Sequence, residues 1–220
     1  MFLLRHVRVA LMAAAAAFGA AVFLTINFFY KRRVWTPEDY CVIKEEEEEH
    51  RQRQVLVLGL DGAGKSSVLQ QLNGASSKRK CTPTRGFNFI RLHTPACDFD
   101  FLEIGGGEEL RAYWADFLKR AHILLYVVDS SDRRRLSLAK DELHRLLSID
   151  TRQLPVVILG NKQDKLDAVS VSELRDALSL GSVPDHRKLF LLQLSSAGES
   201  ESCSLQSLRD LLIKLESDQN

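Results

Sequence analysis

The stretch Gly59-Leu60-Asp61-Gly62-Ala63-Gly64-Lys65-Ser66 decides the fold class, because it matches the pattern G-x-x-x-x-G-K-[ST] of a phosphate-binding loop. It follows an apolar run at residues 55–58 and opens a helix-like stretch, which is the context that the motif needs. In such a loop, glycines let several backbone N–H groups face one point, and the following helix adds its positive end. We therefore expect Lys65 to reach the β- and γ-phosphates and Ser66 to bind Mg²⁺.

Short apolar runs alternate with helix-like stretches from Gln54 onward. This pattern predicts an α/β fold of the P-loop NTPase type, a mostly parallel six-stranded sheet flanked by helices, with ligands beyond the carboxyl ends of the strands. The predicted strands are residues 55–58, 89–93, 99–104, 123–128, 156–159 and 189–194. The predicted helices are residues 65–73, 108–119, 134–148, 171–180 and 205–216, with Asp132 and Ser170 as N-caps of the third and fourth.

Asn161-Lys162-Gln163-Asp164 follows the fifth predicted strand. As a bare tetrapeptide, N-K-x-D is an ordinary polar loop. After a phosphate-binding loop it indicates a guanine site, because the Asp164 carboxylate can accept hydrogen bonds from the N1–H and exocyclic amine, which adenine does not offer together. Asn161 can bond to the base edge, and the aliphatic part of Lys162 can lie along the base.

Together these motifs resemble those of the ADP-ribosylation factor family of small GTPases, in a divergent, ADP-ribosylation factor-like branch. The likeness covers residues 54–216 and includes GLDGAGKSS at 59–67, PTRGFN at 83–88, EIGG at 103–106, DSSDRRRL at 129–136 and NKQD at 161–164. It implies a small G domain that binds GTP or GDP with Mg²⁺, hydrolyses GTP, and presents a switchable surface to protein effectors under the control of exchange and activating factors.

The resemblance also implies roles for single residues. Thr84 corresponds to the threonine that binds Mg²⁺ and the γ-phosphate, Glu103 to an aspartate that holds Mg²⁺ through water, and Gly106 to the glycine whose N–H senses the γ-phosphate. The implied effector surface consists of Phe87, Leu102 and Phe117. The implied metal ligands are Ser66, Thr84 and Glu103. The implied nucleotide-binding residues are Gly59, Leu60, Asp61, Gly62, Ala63, Gly64, Lys65, Ser66, Ser67, Thr84, Gly106, Asn161, Lys162, Asp164, Ser196 and Ala197.

Three positions depart from the family pattern. Gly107 stands where hydrolytic relatives carry the glutamine that orients the attacking water, so we expect slow hydrolysis unless another group, such as Glu108 or a partner protein, substitutes for it. Glu103 is longer than aspartate and brings its carboxylate about 1.5 Å nearer the metal, which predicts that a water is displaced or that coordination weakens. Phe2 replaces the myristoylated glycine, so the signal M-G-x-x-x-[ST] is absent.

Residues 9–30 form an uncharged run between Arg5 and Arg8 on one side and Lys31-Arg32-Arg33 on the other. At about 1.5 Å per residue, a helix of this length spans the hydrocarbon core of a bilayer. We expect residues 1–30 to be a single-pass membrane anchor, and the flanking charges weakly favour a cytosolic body. A cleaved signal peptide and a buried helix are the alternatives. The segment fits the endoplasmic reticulum, the Golgi or the mitochondrial outer membrane.

Residues 31–53 are predicted to be a charged linker between the anchor and a G domain at residues 54–220. The linker contains Pro37 and a run of glutamates at residues 45–49. A self-repelling, solvated spacer is the simpler interpretation, and a docking site for a basic partner is the alternative.

The charge balance and the cysteine spacing argue against nucleic-acid-binding proteins, disulfide scaffolds and zinc modules. The chain carries 30 Lys and Arg against 29 Asp and Glu, and residues 54–220 hold 22 of each sign. A neutral body argues against nucleic acid as a partner, because nucleic-acid binding requires a clustered basic excess. The four cysteines lack C-x-x-C or metal-type spacing, which excludes a disulfide scaffold and a zinc module. We expect a monomer.

The sequence favours a membrane-anchored guanine-nucleotide switch and leaves two alternatives open. The first is a pseudo-GTPase that holds GTP permanently and serves as a scaffold, which Gly107 favours. The second is a membrane-tethered interaction domain that needs no nucleotide. The phosphate-binding loop and NKQD indicate that nucleotide binds, and they do not separate a cycling switch from a scaffold.

Overall fold

The computed structural model describes residues 51–74, 84, 86–195 and 199–217, within one compact unit at residues 50–220. Its strands are β1 (Gln52–Leu58), β2 (Phe87–His93), β3 (Asp98–Ile104), β4 (Ile123–Asp129), β5 (Val156–Asn161) and β6 (Leu189–Gln193). Its helices are α1 (Lys65–Leu72), α2 (Glu108–Arg111), α3 (Trp114–Leu118), α4 (Leu136–Ile149), α5 (Val171–Ala177) and α6 (Glu199–Ser217), with 3₁₀ turns at Arg133–Arg135 and Leu180–Ser182.

Some predicted features lie outside these ranges, namely the anchor at residues 9–30, most of the linker, and the side chains of Ser196 and Ala197. Across the described part of the chain, no helix combines the length and the apolar character that a membrane crossing requires.

The strands form a six-stranded sheet in the order β2-β3-β1-β4-β5-β6. Only the β2–β3 pair is antiparallel among the described pairings, and the other four are parallel. The predicted mostly parallel sheet is therefore confirmed. In a parallel sheet the carboxyl ends of the strands meet at one edge, where ligands bind in open α/β folds. Here the loops after β1, β3, β4 and β5 meet at that edge.

Alternate side chains of the central strands fill two apolar layers. In β1, Val55 and Val57 lie in the layer under α1 and α6, and Leu56 and Leu58 lie in the layer under α3, α4 and α5. These four side chains are at most 1% exposed. Burial on both faces explains why the strands are continuously apolar in sequence.

The predicted strands are all present, with shifted ends. β1 begins at Gln52 rather than at residue 55, so that Gln52 and Arg53, which the sequence assigns to the linker, pair with Asp98 and Phe99 of β3. The polar start of this strand hides it from an apolar pattern. Arg53 is accommodated because its guanidinium forms an ion pair with Glu216 of α6.

The single helix predicted at residues 108–119 is wrong in one respect, because α2 and α3 are separate helices. Between them the Tyr113 N–H donates to the Leu110 carbonyl, a tighter i→i+3 bond than that of an α-helix. The change of direction allows Trp114 to be fully buried, where its ring meets Tyr126 edge-on with centroids 6.5 Å apart.

The two predicted N-caps have different outcomes. Ser170 caps α5 in a capping box, in which its hydroxyl accepts from the Glu173 N–H and the Glu173 carboxylate accepts from the Ser170 N–H. The cap at Asp132 is wrong, because its carboxylate accepts from Arg135 Nε at 2.6 Å. An arginine three residues along the chain competes for the carboxylate and removes it from the helix end. The last helix begins at Glu199 and not at the predicted residue 205. The sequence pattern does not show its first turns, because residues 199–204 lack apolar periodicity.

Candidate nucleotide-binding site

The phosphate-binding loop lies between β1 and α1 and is packed against the loop after β5. Gly64 has φ 92°, and a Cβ atom there would lie 2.3 Å from Asn161 Nδ2. Asn161 is buried, and its side-chain amide donates to the Ala63 carbonyl at 2.9 Å. The close contact requires glycine at position 64, and it couples the phosphate-binding loop to the N-K-Q-D loop.

Lys65 is held inside the loop that it follows. Its Nζ donates to the carbonyl oxygens of Gly59 at 2.9 Å and Leu60 at 3.1 Å, and the side chain is 5% exposed. Burial lowers the pKa of Lys65 to about 8, while the charges of Glu103 and Asp61 partly oppose the shift. The hydrogen-bond partners of the buried Lys65 ammonium are neutral carbonyls, so the group attracts an anion. Phosphate groups supply that negative charge.

Next to Lys65, the three predicted metal ligands lie in mutual contact. The Ser66 hydroxyl is 2.7 Å from Glu103 Oε1 and 3.0 Å from the Thr84 hydroxyl, and Thr84 Oγ1 is 3.0 Å from the same carboxylate oxygen. Glu103 reaches this position from the penultimate residue of β3, paired with Val57 of β1. Hydroxyl and carboxylate oxygens are the ligands that Mg²⁺ prefers, so the donor set fits a hard divalent cation.

Lys162 of the N-K-Q-D loop contacts the phosphate-binding loop directly. It has φ 64°, and its Nζ donates to the Gly62 carbonyl at 2.7 Å and to Asp129 Oδ2 at 2.5 Å. Burial by itself would raise the pKa of Asp129, but hydrogen bonds from Lys162 and Ser131 outweigh it and hold the pKa below its usual value. Asp129 therefore stays ionised and orients Lys162. Asp164, two residues further, is exposed.

Gly106, the second of the two glycines after β3, approaches the phosphate-binding loop so closely that no side chain fits there. A Cβ atom there would lie 2.2 Å from the Asp61 nitrogen. The Gly105 N–H donates to the Gly86 carbonyl at 2.9 Å. Arg111 and Trp114 hold this turn from the following helices, since they donate to the carbonyls of Gly106 at 3.0 Å and Gly105 at 3.1 Å.

Gly107 has none of these constraints. Its φ of −62° and ψ of 153° are open to any residue, and a Cβ atom there would meet no heavy atom within 4 Å. It lines the cavity together with its neighbour Gly106. Neither backbone geometry nor packing therefore requires glycine at the position where hydrolytic relatives carry glutamine.

These groups line one open cavity of about 790 Å³, ample for a nucleotide. It brings together the predicted residues Asp61, Gly62, Gly64, Lys65, Ser66, Ser67, Thr84, Glu103, Gly106 and Lys162. Gly59, Leu60, Ala63, Asn161 and Asp164 do not line it, although the first four surround it through the contacts above. Ser196 and Ala197 lie outside the described residues.

Sequence reasoning missed several residues of the site. Three of them orient a predicted site residue by a hydrogen bond. Arg111 donates to the carbonyl of Gly106, Asp129 accepts from Lys162, and Asn88 Nδ2 donates to Glu103 Oε2 at 3.3 Å. Glu109 lines the cavity as well. Asn88 could have been found, because it closes the stretch PTRGFN that carries the resemblance.

The three residues of the predicted effector surface differ in exposure. Phe87 is 72% exposed, whereas Leu102 and Phe117 are partly buried against the core. Phe89, opposite Leu102 in the β2–β3 pair, is 50% exposed, and Tyr113 is 57% exposed. Neither residue was predicted.

A model of the ADP-ribosylation factor family matches residues 40–213. The chain belongs to the ADP-ribosylation factor family. It is 46% identical over 166 residues to the mouse ADP-ribosylation factor-like protein 10, a match that covers 74% of this chain and 66% of that protein, just under two thirds of its length. It is 39% identical over 172 residues to the human ADP-ribosylation factor-like protein 9, covering 77% of this chain and 91% of that protein.

Solved structures agree with this family's fold. The Arl6 BBS3 small GTPase from Trypanosoma brucei with bound nucleotide analogue GppNp has a TM-score of 0.67 at 23% identity, covering 77% of this chain and all of that one. The mammalian SRP receptor has a TM-score of 0.64 at 21% identity, covering 74% and 100%. At these identities the likeness supports the α/β small G-domain fold alone. Membership in the ADP-ribosylation factor family itself supports a guanine-nucleotide-binding switch, and its small GTPases are generally GTP hydrolases.

Gly106→Ala is expected to weaken GTP binding by about fivefold or more, because overpacking the contact with Asp61 costs about 1–3 kcal/mol. A titration with a fluorescent GTP analogue measures the change. Gly107→Ala is the matched control, because its Cβ enters open space and its affinity should equal that of the wild type. Equal affinities of the two variants would contradict the close approach at Gly106.

Proposed function

We propose that this chain is a membrane-anchored guanine-nucleotide switch that binds GTP or GDP with Mg²⁺ and hydrolyses GTP slowly. The observation that carries the proposal is the convergence of Lys65, the Ser66–Thr84–Glu103 cluster and the N-K-Q-D loop on one edge of the sheet. Separate parts of the chain thereby offer cations, hydroxyls and a carboxylate to one cavity. That combination suits a polyphosphate and a divalent metal.

Mg²⁺ in this site would neutralise charge on the β- and γ-phosphates. Ser66, Thr84 and Glu103 would hold it, and their mutual contacts support this assignment. The N–H of Gly106 would read the γ-phosphate, because the glycine already packs on the phosphate-binding loop. Loss of that phosphate would release Thr84 and Gly106, which is how switch segments in this class of protein relax.

Guanine specificity is assigned to Asp164, with Asn161 and Lys162 positioning its loop. Asn161 and Lys162 donate to the carbonyls of Ala63 and Gly62 in the phosphate-binding loop. The base and phosphate sites are therefore held at a constant separation. Ser196 and Ala197 would complete the base site.

Slow hydrolysis is assigned to Gly107. The residue borders the cavity but offers no amide to orient a water molecule. Glu108 and Glu109, the next residues, are exposed. A carboxylate near the γ-phosphate is repelled by it, so neither is a ready substitute for glutamine.

Gly107→Gln is expected to accelerate single-turnover hydrolysis by about tenfold or more, because the amide can orient the attacking water and the open space accepts the side chain. The full chain is loaded with GTP and Mg²⁺, and GDP is followed with time. Competition by GTP but not by ATP establishes guanine binding in the same preparation. Gly107→Ala is the control that adds a side chain without an amide.

The outcomes separate the candidate functions. Fast hydrolysis by the wild type would contradict the role given to Gly107. A wild type and a Gly107→Gln variant that both retain GTP would favour the alternative, a non-cycling pseudo-GTPase scaffold, which the open and unconstrained Gly107 also suits. A site that cannot be loaded would reject the proposal and leave a nucleotide-independent interaction domain.

An effector surface is proposed around Phe87, Leu102 and Phe117, now extended to Phe89. The exposure of Phe87 and Phe89 supports it, because large exposed apolar side chains next to one another mark interaction sites. Their strand begins three residues after Thr84, so the surface adjoins a segment that responds to nucleotide.

Phe87→Ser is expected to abolish the labelling of effector proteins that proximity labelling detects around the GTP-loaded chain in cells. The substitution deletes exposed apolar area that an effector would cover. Ile149→Ser is the matched control, since Ile149 is exposed at the end of α4 and lies outside this surface. Equal losses in both variants, or none in either, would argue against an effector site at Phe87.

A single-pass anchor at residues 9–30 is proposed from the uncharged run and its basic flanks. The full chain should remain in the membrane pellet after an alkaline carbonate wash, and deletion of residues 9–30 should release it. Protease added to intact organelles should remove the G domain if that domain faces the cytosol. Release of the unmodified chain by carbonate, or loss of residues 1–30 from the mature protein, would contradict the anchor.

A further inference from the structure

We propose that Glu103 binds Mg²⁺ directly, through Oε1, instead of through a water molecule as the aspartate of the family pattern does. The proposal rests on the nucleotide-binding function given above and specifies how its metal site is built. Ser66, Thr84 and Glu103 then form three adjacent positions of one octahedron.

The distances between the three oxygen atoms fit this arrangement. Ser66 Oγ, Thr84 Oγ1 and Glu103 Oε1 form a triangle with sides of 2.7, 3.0 and 3.0 Å. Oxygen atoms at adjacent octahedral positions around Mg²⁺, each about 2.0–2.1 Å from the metal, lie about 2.9 Å apart. The triangle therefore has the dimensions of one face of a magnesium octahedron.

Hydrogen bonding alone cannot satisfy all three sides of the triangle. Each hydroxyl carries a single proton, and a carboxylate in the ionised form that binds a metal carries none. Two protons can serve two sides, so when both hydroxyls donate to Glu103, the contact between Ser66 and Thr84 at 3.0 Å has no proton. A cation outside the triangle resolves the shortage, because it accepts a lone pair from all three oxygens.

The surroundings of Glu103 also favour a bound cation. The residue is 1% exposed, and within the described ranges it has no ion-pair partner within 4 Å. The buried ammonium of Lys65 interacts with the charge of Glu103 beyond ion-pair distance, and its hydrogen bonds go to the carbonyls of Gly59 and Leu60. A carboxylate buried this deeply requires a compensating charge, and a divalent metal provides it.

Asn88 determines which carboxylate oxygen faces the metal. It pairs with Glu103 across the antiparallel β2–β3 ladder, and its amide donates to Oε2 at 3.3 Å. The other oxygen, Oε1, therefore faces the hydroxyls of Ser66 and Thr84. Glu103 is thus positioned as a ligand through one oxygen, and the extra methylene of glutamate supplies the reach that aspartate lacks.

Direct binding and binding through water differ in the number of water molecules on the metal. Three protein oxygens and two phosphate oxygens of GTP fill five of the octahedral positions, which leaves one for water. If the carboxylate acts through water, only the two hydroxyls and two phosphate oxygens bind the metal, and two waters remain. The count of metal-bound water separates the two arrangements.

The experiment uses the full chain loaded with Mn²⁺ and the imido analogue of GTP, since Mn²⁺ prefers the same oxygen ligands as Mg²⁺. Broadening of the Mn²⁺ electron paramagnetic resonance lines in ¹⁷O-enriched water reports the number of bound waters. We expect one water in the wild type and two in Glu103→Asp. Glu173→Asp is the matched control, because it shortens an exposed carboxylate on α5 that does not line the cavity, and it should keep one water.

Two waters in the wild type would overturn direct binding, even if nucleotide binds normally. Failure of nucleotide to bind at all would instead reject the proposed function, and a separate titration with the fluorescent analogue identifies that case. One water in both the wild type and Glu103→Asp would support direct binding by the carboxylate and would contradict the role given to the extra methylene of glutamate.

Discussion

The close contact between Gly106 and the backbone of the phosphate-binding loop organises the whole nucleotide site. A Cβ atom at this glycine would lie 2.2 Å from the Asp61 nitrogen, so the contact exists only because the side chain is absent. Arg111 and Trp114 hold the glycine pair from outside by their hydrogen bonds to its carbonyl oxygens. The phosphate-binding loop, the end of β3 and the helices that follow therefore behave as one unit. A change in any of them, such as the arrival of a γ-phosphate, is transmitted to the others by contact.

Electrostatics gives this unit its affinity for a charged ligand. Lys65 and Glu103 are both nearly fully buried, and each is hydrogen-bonded to neutral groups that do not compensate its charge. Burial lowers the pKa of Lys65 to about 8, and a nearby polyphosphate would favour the charged ammonium again. A metal would offset the buried charge of the Glu103 carboxylate. A metal–nucleotide complex therefore offers opposite charge to both groups at once. Folding has already removed Lys65 and Glu103 from water, so binding of the complex does not incur that desolvation cost again.

In the proposed function, nucleotide binding and GTP hydrolysis depend on different residues of this chain. The binding groups are held by short contacts that reach across the molecule, as when Asn161 donates to the carbonyl of Ala63. The position that would orient water is the opposite case, since Gly107 has ordinary backbone angles and open space around it. A glycine that the fold does not need is best explained by function. Under the proposed function, a switch that hydrolyses GTP slowly would stay in its GTP form until another protein intervenes.

The sequence by itself determined the α/β class, the phosphate-binding loop and the guanine motif, because each depends on local spacing or on the period of apolar residues. It could not determine where the polar start of β1 lies, where the helix after Gly107 breaks, or that Arg135 removes Asp132 from its cap. Only the tertiary structure decided how the proposed metal ligands are arranged, because it joins Ser66 to Thr84 and Glu103, 18 and 37 residues away. It likewise decided that Gly106 is sterically required and Gly107 is not. Spacing along a chain carries no distances between segments that are remote in sequence, and those distances are set when both faces of the sheet are packed.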